Sequence, residues 1–131
     1  MTLKISHTSI DAHNAHQQSV WWGEALGYSE DPEDPNLPGH EECLIISPDG
    51  NSRLLFIEVP EEKTIKNRLH LDLRPSDTTR AAEVERLVGM GAEQIGDFVR
   101  PDGTGWITLR DPEGNEFCVL TGQSELDARG H

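Results

Sequence analysis

The sequence predicts an α+β fold made of two copies of one unit, each read as strand, helix, then a run of strands. Three observations carry that reading. Ser47-Pro48-Asp49-Gly50-Asn51 resembles Asp111-Pro112-Glu113-Gly114-Asn115 at an offset of 64. Ser6-His7 and Leu69-His70 each sit in a strand-like run ahead of a helical segment, 63 apart, and the helical segments close on Leu26-Gly27 and Met90-Gly91, again 64 apart. Features in the same order at a near-constant offset are the signature of a repeat.

In the first copy, Leu3 to Asp11 reads as extended. Asn14 can cap a helix that runs to about Leu26, with Val20, Trp21, Trp22, Ala25 and Leu26 as apolar contacts and Gly27 as its stop. Strands follow at 42–47 and 53–59, joined by the Pro-Asp-Gly-Asn hairpin. In the second copy, Arg68 to Arg74 alternates cleanly, so Leu69, Leu71 and Leu73 should pack on helices. Arg68, His70, Asp72 and Arg74 then share a polar face that is solvated or lines a cleft. Ser76 or Asp77 can cap a helix whose Ala81, Val84, Leu87 and Val88 fall on one face. Short strands follow near 93–99, 105–110 and 116–121. In the last, packing of Phe117 and Val119 on helices turns Cys118 toward the cleft. The expected organisation is therefore one domain over 1–131, with module one at about 1–65, module two at about 66–122 and a frayed tail at 123–131.

Composition limits the function. The chain has 131 residues, with 24 Asp and Glu against 11 Lys and Arg, a formal net charge of −13. That balance opposes nucleic-acid binding, because no excess of cations is available to displace counterions. It disfavours anionic membrane surfaces in the same way. No apolar run approaches the roughly 18 residues that span a bilayer, and the N-terminus lacks a signal-peptide core. Two cysteines 75 positions apart make no disulfide framework, so a cytoplasmic location with reduced thiols is expected. Residues 30–42 hold three prolines and six acids with no Lys or Arg, and read as a loop. If that loop borders a binding site, it favours cationic or neutral ligands.

The repeat also places His7 and His70 at equivalent positions, and paired across a pseudo-twofold axis they could begin a metal site. Imidazole suits Zn, Fe, Ni or Cu. Asp11 and Asp72 read as loop-fixing carboxylates, and Cys43 as an ordinary strand residue.

Four segments carry a family resemblance: Ile10-Asp11 with Trp21-Trp22 and Ala25-Leu26-Gly27; Val59-Pro60-Glu61 with Lys63 and Lys66-Asn67-Arg68-Leu69-His70-Leu71-Asp72-Leu73; Glu83 to Leu87 with Gly91-Ala92; and Asp111-Pro112-Glu113-Gly114-Asn115-Glu116-Phe117-Cys118-Val119-Leu120. They cover nearly the whole chain. It resembles the vicinal oxygen chelate superfamily, which includes glyoxalase I, extradiol dioxygenases, fosfomycin-resistance proteins and bleomycin-binding proteins, and within it the glyoxalase-like domain group common in actinobacteria.

The resemblance implies two βαβββ modules forming a cup-shaped antiparallel sheet, the glyoxalase/bleomycin resistance/dioxygenase fold. It implies metal ligands from the opening and closing strands of the modules, which fall on His7, His70 and Cys118 in this sequence. A divalent ion such as Zn, Ni or Fe would sit there, and a thiol in place of the usual Glu shifts preference toward softer ions such as Zn. The first-module counterpart of Cys118 is Leu54, or Leu55 if Ser52 is an insertion. Either is apolar, which disfavours glyoxalase I activity proper. Glu58 offers a carboxylate for catalysis near the cup, and Trp106 a ring to stack on a ligand. The family further implies a small-molecule ligand and a homodimer. Two functions follow as expectations: a small lyase or isomerase acting on an oxygenated metabolite, or a metal-free protein that sequesters a drug-like ligand.

Overall fold

The computed structural model describes residues 2–128. The chain divides into two compact units, the first ending at Glu62 and the second beginning at Lys63. The first unit contains β1 (Thr8–Ala12), α1 (Ala15–Leu26), β2 (Glu42–Ile46) and β3 (Arg53–Glu58). The second contains β4 (Leu71–Leu73), α2 (Arg80–Gly89), β5 (Glu93–Asp97), β6 (Trp106–Arg110), β7 (Glu116–Leu120) and α3 (Gln123–Asp127).

Each unit builds one sheet, and the two sheets follow one plan. The orders are β1-β3-β2 and β4-β7-β6-β5. The opening strand lies parallel to the closing strand, and every other pair is antiparallel. The sheets are therefore mixed within the α+β class. A parallel neighbour requires a crossover connection, which the helix of each unit provides. The first sheet has one strand fewer. Where β5 edges the second sheet, the first has only a Ser29–Ile46 bridge, with reciprocal bonds of 2.9 and 2.8 Å. The prolines at 32, 35 and 38 account for the truncation, because proline cannot donate to a ladder.

The two caps of the first unit's helix act as the sequence predicts, whereas Val20, expected among its apolar contacts, is 55% exposed. Asn14 Oδ1 accepts from Gln17 N at 3.0 Å, and Gly27 closes α1 at φ 70°. Trp21 and Trp22 meet edge to face at 5.0 Å, and Trp22 is 2% exposed. With Cys43, Ile45, Leu54 and Phe56 from the sheet, they form the buried core of this unit.

The second unit departs from expectation at three places. The cap of α2 is Thr79, whose Oγ1 accepts from Ala82 N at 3.1 Å, not Ser76 or Asp77. Its helix therefore starts later, and Arg80 occupies the first buried position of the helical face ahead of Val84 and Leu87. Val88, expected on that face, is 44% exposed. The second departure is Leu69, which is 90% exposed because β4 pairs with β7 over only three residues and Leu69 precedes it. The third is the tail. Residues 123–127 form a short helix, fastened by Gln123 N to Pro75 O at 2.7 Å and by Glu125 Oε1, which accepts from Arg80 N and Gly122 N. These anchors tie Pro75 and Arg80 to the tail, and α2 begins only after Thr79. Residues 129–131 of the expected frayed tail lie outside the described residues.

Arg80 also closes the β5–β6 connection. Its buried guanidinium donates to Gly103 O at 2.8 Å, Gly105 O at 2.9 Å and Thr121 Oγ1 at 3.1 Å. Gly105 sits at φ 103°, and a Cβ there would fall 2.1 Å from Phe98 O, so only glycine fits.

Candidate functional site

The second sheet has one face packed on helices and one face open. Phe117, Val119, Leu109 and Ile107 are buried on the packed face. Strand alternation then sets Cys118, Thr108 and Asp72 on the other. Backbone register aligns them in a row, because Asp72 pairs with Cys118 and Cys118 pairs with Thr108. The row forms the floor of a cleft of about 870 Å³, lined wholly from the second unit.

His70 sits at the edge of this floor, two residues before Asp72. Its Nδ1 lies 3.2 Å from Asp72 Oδ1. One ligand atom each from His70, Asp72 and Cys118 lie within 4.8 Å of one another. On the far side of the sulfur, Thr108 Oγ1 is 3.5 Å from Cys118 Sγ. Burial pushes the Cys118 thiol up. The Thr108 hydrogen bond lowers it, Asp72 adds to the rise, and Lys66 draws it down only weakly. Cys43, wholly buried in the other unit, is also raised by burial.

A strap of residues 63–67 forms one wall. Lys63 Nζ and Asn67 N both donate to the Glu116 carboxylate at 3.0 Å. Burial pushes that carboxyl up, but the Asn67 and Lys63 bonds more than offset it and hold it below the usual glutamate value. The opposite end of the cleft is aromatic. Phe98 and Trp106 stack at 5.4 Å and 27°, with the Arg100 guanidinium 5.8 Å from the Trp106 ring centre. The charged residues lining the cleft are Lys63, Lys66, Arg110, Asp72 and Glu116. Three cations thus stand against two carboxylates among the residues that line the cleft.

The donor set fits a metal. A four-coordinate ion bound through nitrogen at about 2.0 Å and sulfur at about 2.3 Å needs donors about 3.5 Å apart. The His70–Asp72 pair is near that spacing at 3.2 Å, all three donors lie within 4.8 Å of one another, and they offer imidazole, carboxylate and thiol together. Hard ions such as Mg or Ca prefer all-oxygen sets, so this combination suits Zn, Co or Fe.

The structure brings together His70 and Cys118, adds Trp106 to the same cleft, and adds Asp72. The Asp72 carboxylate, read from sequence as loop-fixing, meets His70, which lies in the segment just before β4. It stands beside Cys118 in the sheet, and the signal for it was the His70-x-Asp72 spacing, which puts both on one face. His7 and Glu58 belong to the first unit. His7 precedes β1, exposed, with Ser6 Oγ 3.1 Å from its Nδ1. Glu58 ends β3, exposed, beside Ala12.

Two mixed-sheet modules on a strand–helix–strand plan, one floored by a potential ligand set, define a small α+β protein with an open cleft in its second unit. The sequence model of the glyoxalase-like domain matches residues 7–120, and the chain belongs to that family. Among curated proteins no sequence matches. Solved structures agree on the fold. A point mutant of a fosfomycin resistance protein, FosX, of Listeria monocytogenes, in complex with Mn(II) and 1S,2S-dihydroxypropylphosphonic acid, aligns at 16% identity over 100% of both chains with a TM-score of 0.72. FosX of Mesorhizobium loti aligns at 16% identity over 98% of this chain and 100% of its own, at 0.66. A glyoxalase family protein of Bacillus cereus aligns at 19% identity over 92% and 94%, at 0.64. The fold is that of the glyoxalase/bleomycin resistance/dioxygenase group.

Proposed function

We propose that the protein is a small enzyme of lyase or isomerase type that acts on a small oxygenated metabolite with the help of a divalent metal. The observation that carries this reading is the His70, Asp72 and Cys118 cluster on the floor of the cleft. His70 and Cys118 would hold the ion, Zn, Ni or Fe, and His7 is the third ligand that the family resemblance implies. A bound divalent ion supplies Lewis acidity toward a pair of vicinal oxygens. The chain supplies the rest. Trp106 and Phe98 give a flat apolar wall for the non-reacting part of a ligand. Lys66 draws a negative group toward the strap, and Thr108 orients the Cys118 sulfur. Glu58 is the carboxylate this reading assigns to proton transfer, which Glu58→Gln tests by loss of turnover with binding retained.

Two wider properties belong to the same reading. The protein works as a homodimer, for which light scattering should give twice the 14.6 kDa chain mass. It works in the cytoplasm, where its two free thiols stay reduced. Among the described residues no helix is long and apolar enough to cross a membrane.

The deciding experiment is metal analysis of untagged protein with turnover assays on vicinal dioxygen compounds. Sub-stoichiometric metal unchanged by His70→Ala would end the reading. A second reading, a metal-free protein that sequesters its ligand, is favoured by the raised Cys118 thiol, which packs as a neutral group. It expects thermal stabilisation by a ligand without product formation.

A further inference from the structure

We infer that Asp72 is itself a metal ligand, so that His70, Asp72 and Cys118 form a complete three-donor site inside the second unit. The inference rests on the proposed metal reading and replaces its third ligand. Three observations carry it.

The first is register. Asp72 and Cys118 are direct partners in the parallel β4–β7 pair, so their backbones are locked side by side. The second is spacing. His70 and Asp72 are two residues apart and already touch, Nδ1 to Oδ1, at 3.2 Å. The third is the set itself. Nitrogen, oxygen and sulfur donors lie within 4.8 Å of one another, with the open cleft above them. Three protein ligands and one open position are the layout of a catalytic site, whereas a structural site is closed by a fourth ligand. Thr108, 3.5 Å from the sulfur, serves as the outer partner that orients the thiol.

The first unit shows what the site requires. Its counterpart positions hold His7, Ser9 and Leu55, so it keeps an imidazole but has neither carboxylate nor thiol. The donor chemistry names the ion class. A thiol favours borderline-soft ions, Zn or Co, over Mn, Mg or Ca.

The test uses the untagged full chain, stripped with a chelator and titrated with Co(II). The expected result is one equivalent bound per chain, with a thiolate-to-cobalt charge-transfer band in the near ultraviolet. Cys118→Ser should abolish that band. Asp72→Asn should weaken binding on the order of 100-fold or more, beyond what loss of an outer partner costs. Asparagine keeps an oxygen able to accept from His70, so a merely orienting Asp72 would survive the change. His7→Ala should leave affinity and spectrum unaltered. Asp72 and His7 are both exposed, and equal unfolding midpoints of the variants will show that the fold is kept. If Asp72→Asn binds like the wild type while His7→Ala does not, the inference is overturned and the metal reading stands. If the wild type binds no Co(II), the metal reading itself fails.

Discussion

The two units share a plan and differ in what they place on it. In the second, the row across the open face is Asp72, Cys118 and Thr108. In the first, the matching row is Ser9, Leu55 and Leu44. The match follows from the turns. Asp111 N bonds to Asn115 O, whereas Ser47 N bonds to Ser52 O, one residue further on. Ser52 is thus the extra residue, and of the two candidates from sequence, Leu55 is the counterpart of Cys118. Burial agrees, since Leu54 and Phe117 both lie on the packed face at 4% and 1% exposure. A repeat can therefore keep its packed face while the open faces diverge, one carrying Asp72, Cys118 and Thr108 and the other Ser9, Leu55 and Leu44. Core packing constrains the first kind of position in both units, and the second kind is free of that constraint.

The comparison can be broken in order of effect. The packed faces should respond alike and strongly. Phe117→Ala should cost about 3–5 kcal/mol and Leu54→Ala about 2–5 kcal/mol by chemical denaturation, whereas Cys118→Ala, on the open face, should cost clearly less than Phe117→Ala. A Phe117→Ala as mild as Cys118→Ala would refute the assignment of faces.

Arg80 comes next, because the first unit has a buried Ala15 where the second has this buried cation. Arg80→Met should cost about 2–4 kcal/mol, since two carbonyls and the Thr121 hydroxyl lose their donor. Arg80→Lys should not restore it, because an ammonium cannot reproduce the guanidinium fork. Full rescue by lysine would show that charge alone matters.

The caps should be equal. Asn14→Ala and Thr79→Ala should each cost about 1 kcal/mol, and urea midpoints of the two variants should shift by similar amounts. A silent Thr79→Ala would return the start of α2 to Ser76 or Asp77.

The smallest effect lies in the turns. Ser47 Oγ and Asn51 N both donate to Asp49 Oδ1, at 2.6 and 2.9 Å. The Ser47 bond first, then the Asn51 bonds, hold the Asp49 carboxyl below its usual 3.8, against a small opposing effect of burial. A depressed carboxyl stabilises the folded state above the unfolded value and loses that contribution as pH falls through the folded one. The loss therefore belongs below about pH 4, and Ser47→Ala should raise the Asp49 titration measured by NMR. An unchanged titration would remove the hydroxyl as its cause.

Much of this was legible because it is local. Asn14, Gly27, the paired Pro-x-Gly-Asn turns and the alternation at 116–120 each act within a few residues of their own position. The cleft-side placement of Cys118 followed from alternation alone. The Thr79 cap was hidden because its cause is remote: Pro75 and Arg80 are held by Gln123 and Glu125 from the far end of the unit. Leu69 misled for a related reason, since strand length is set by the partner and β7 offers β4 only three positions. Asp72 was visible as a face-mate of His70, but its pairing with Cys118 depends on a parallel register between segments more than 40 residues apart in sequence. No single segment encodes that.

We infer that, among the described residues, the open face of the second unit holds a nitrogen, oxygen and sulfur ligand set. X-ray absorption at the zinc edge, on untagged full-length protein loaded with one equivalent of Zn(II), tests it most directly. The account predicts one sulfur scatterer at about 2.3 Å with nitrogen and oxygen at about 2.0 Å, and loss of the sulfur shell in Cys118→Ser. A zinc environment with no sulfur, or one that Cys118→Ser leaves unchanged, would contradict it.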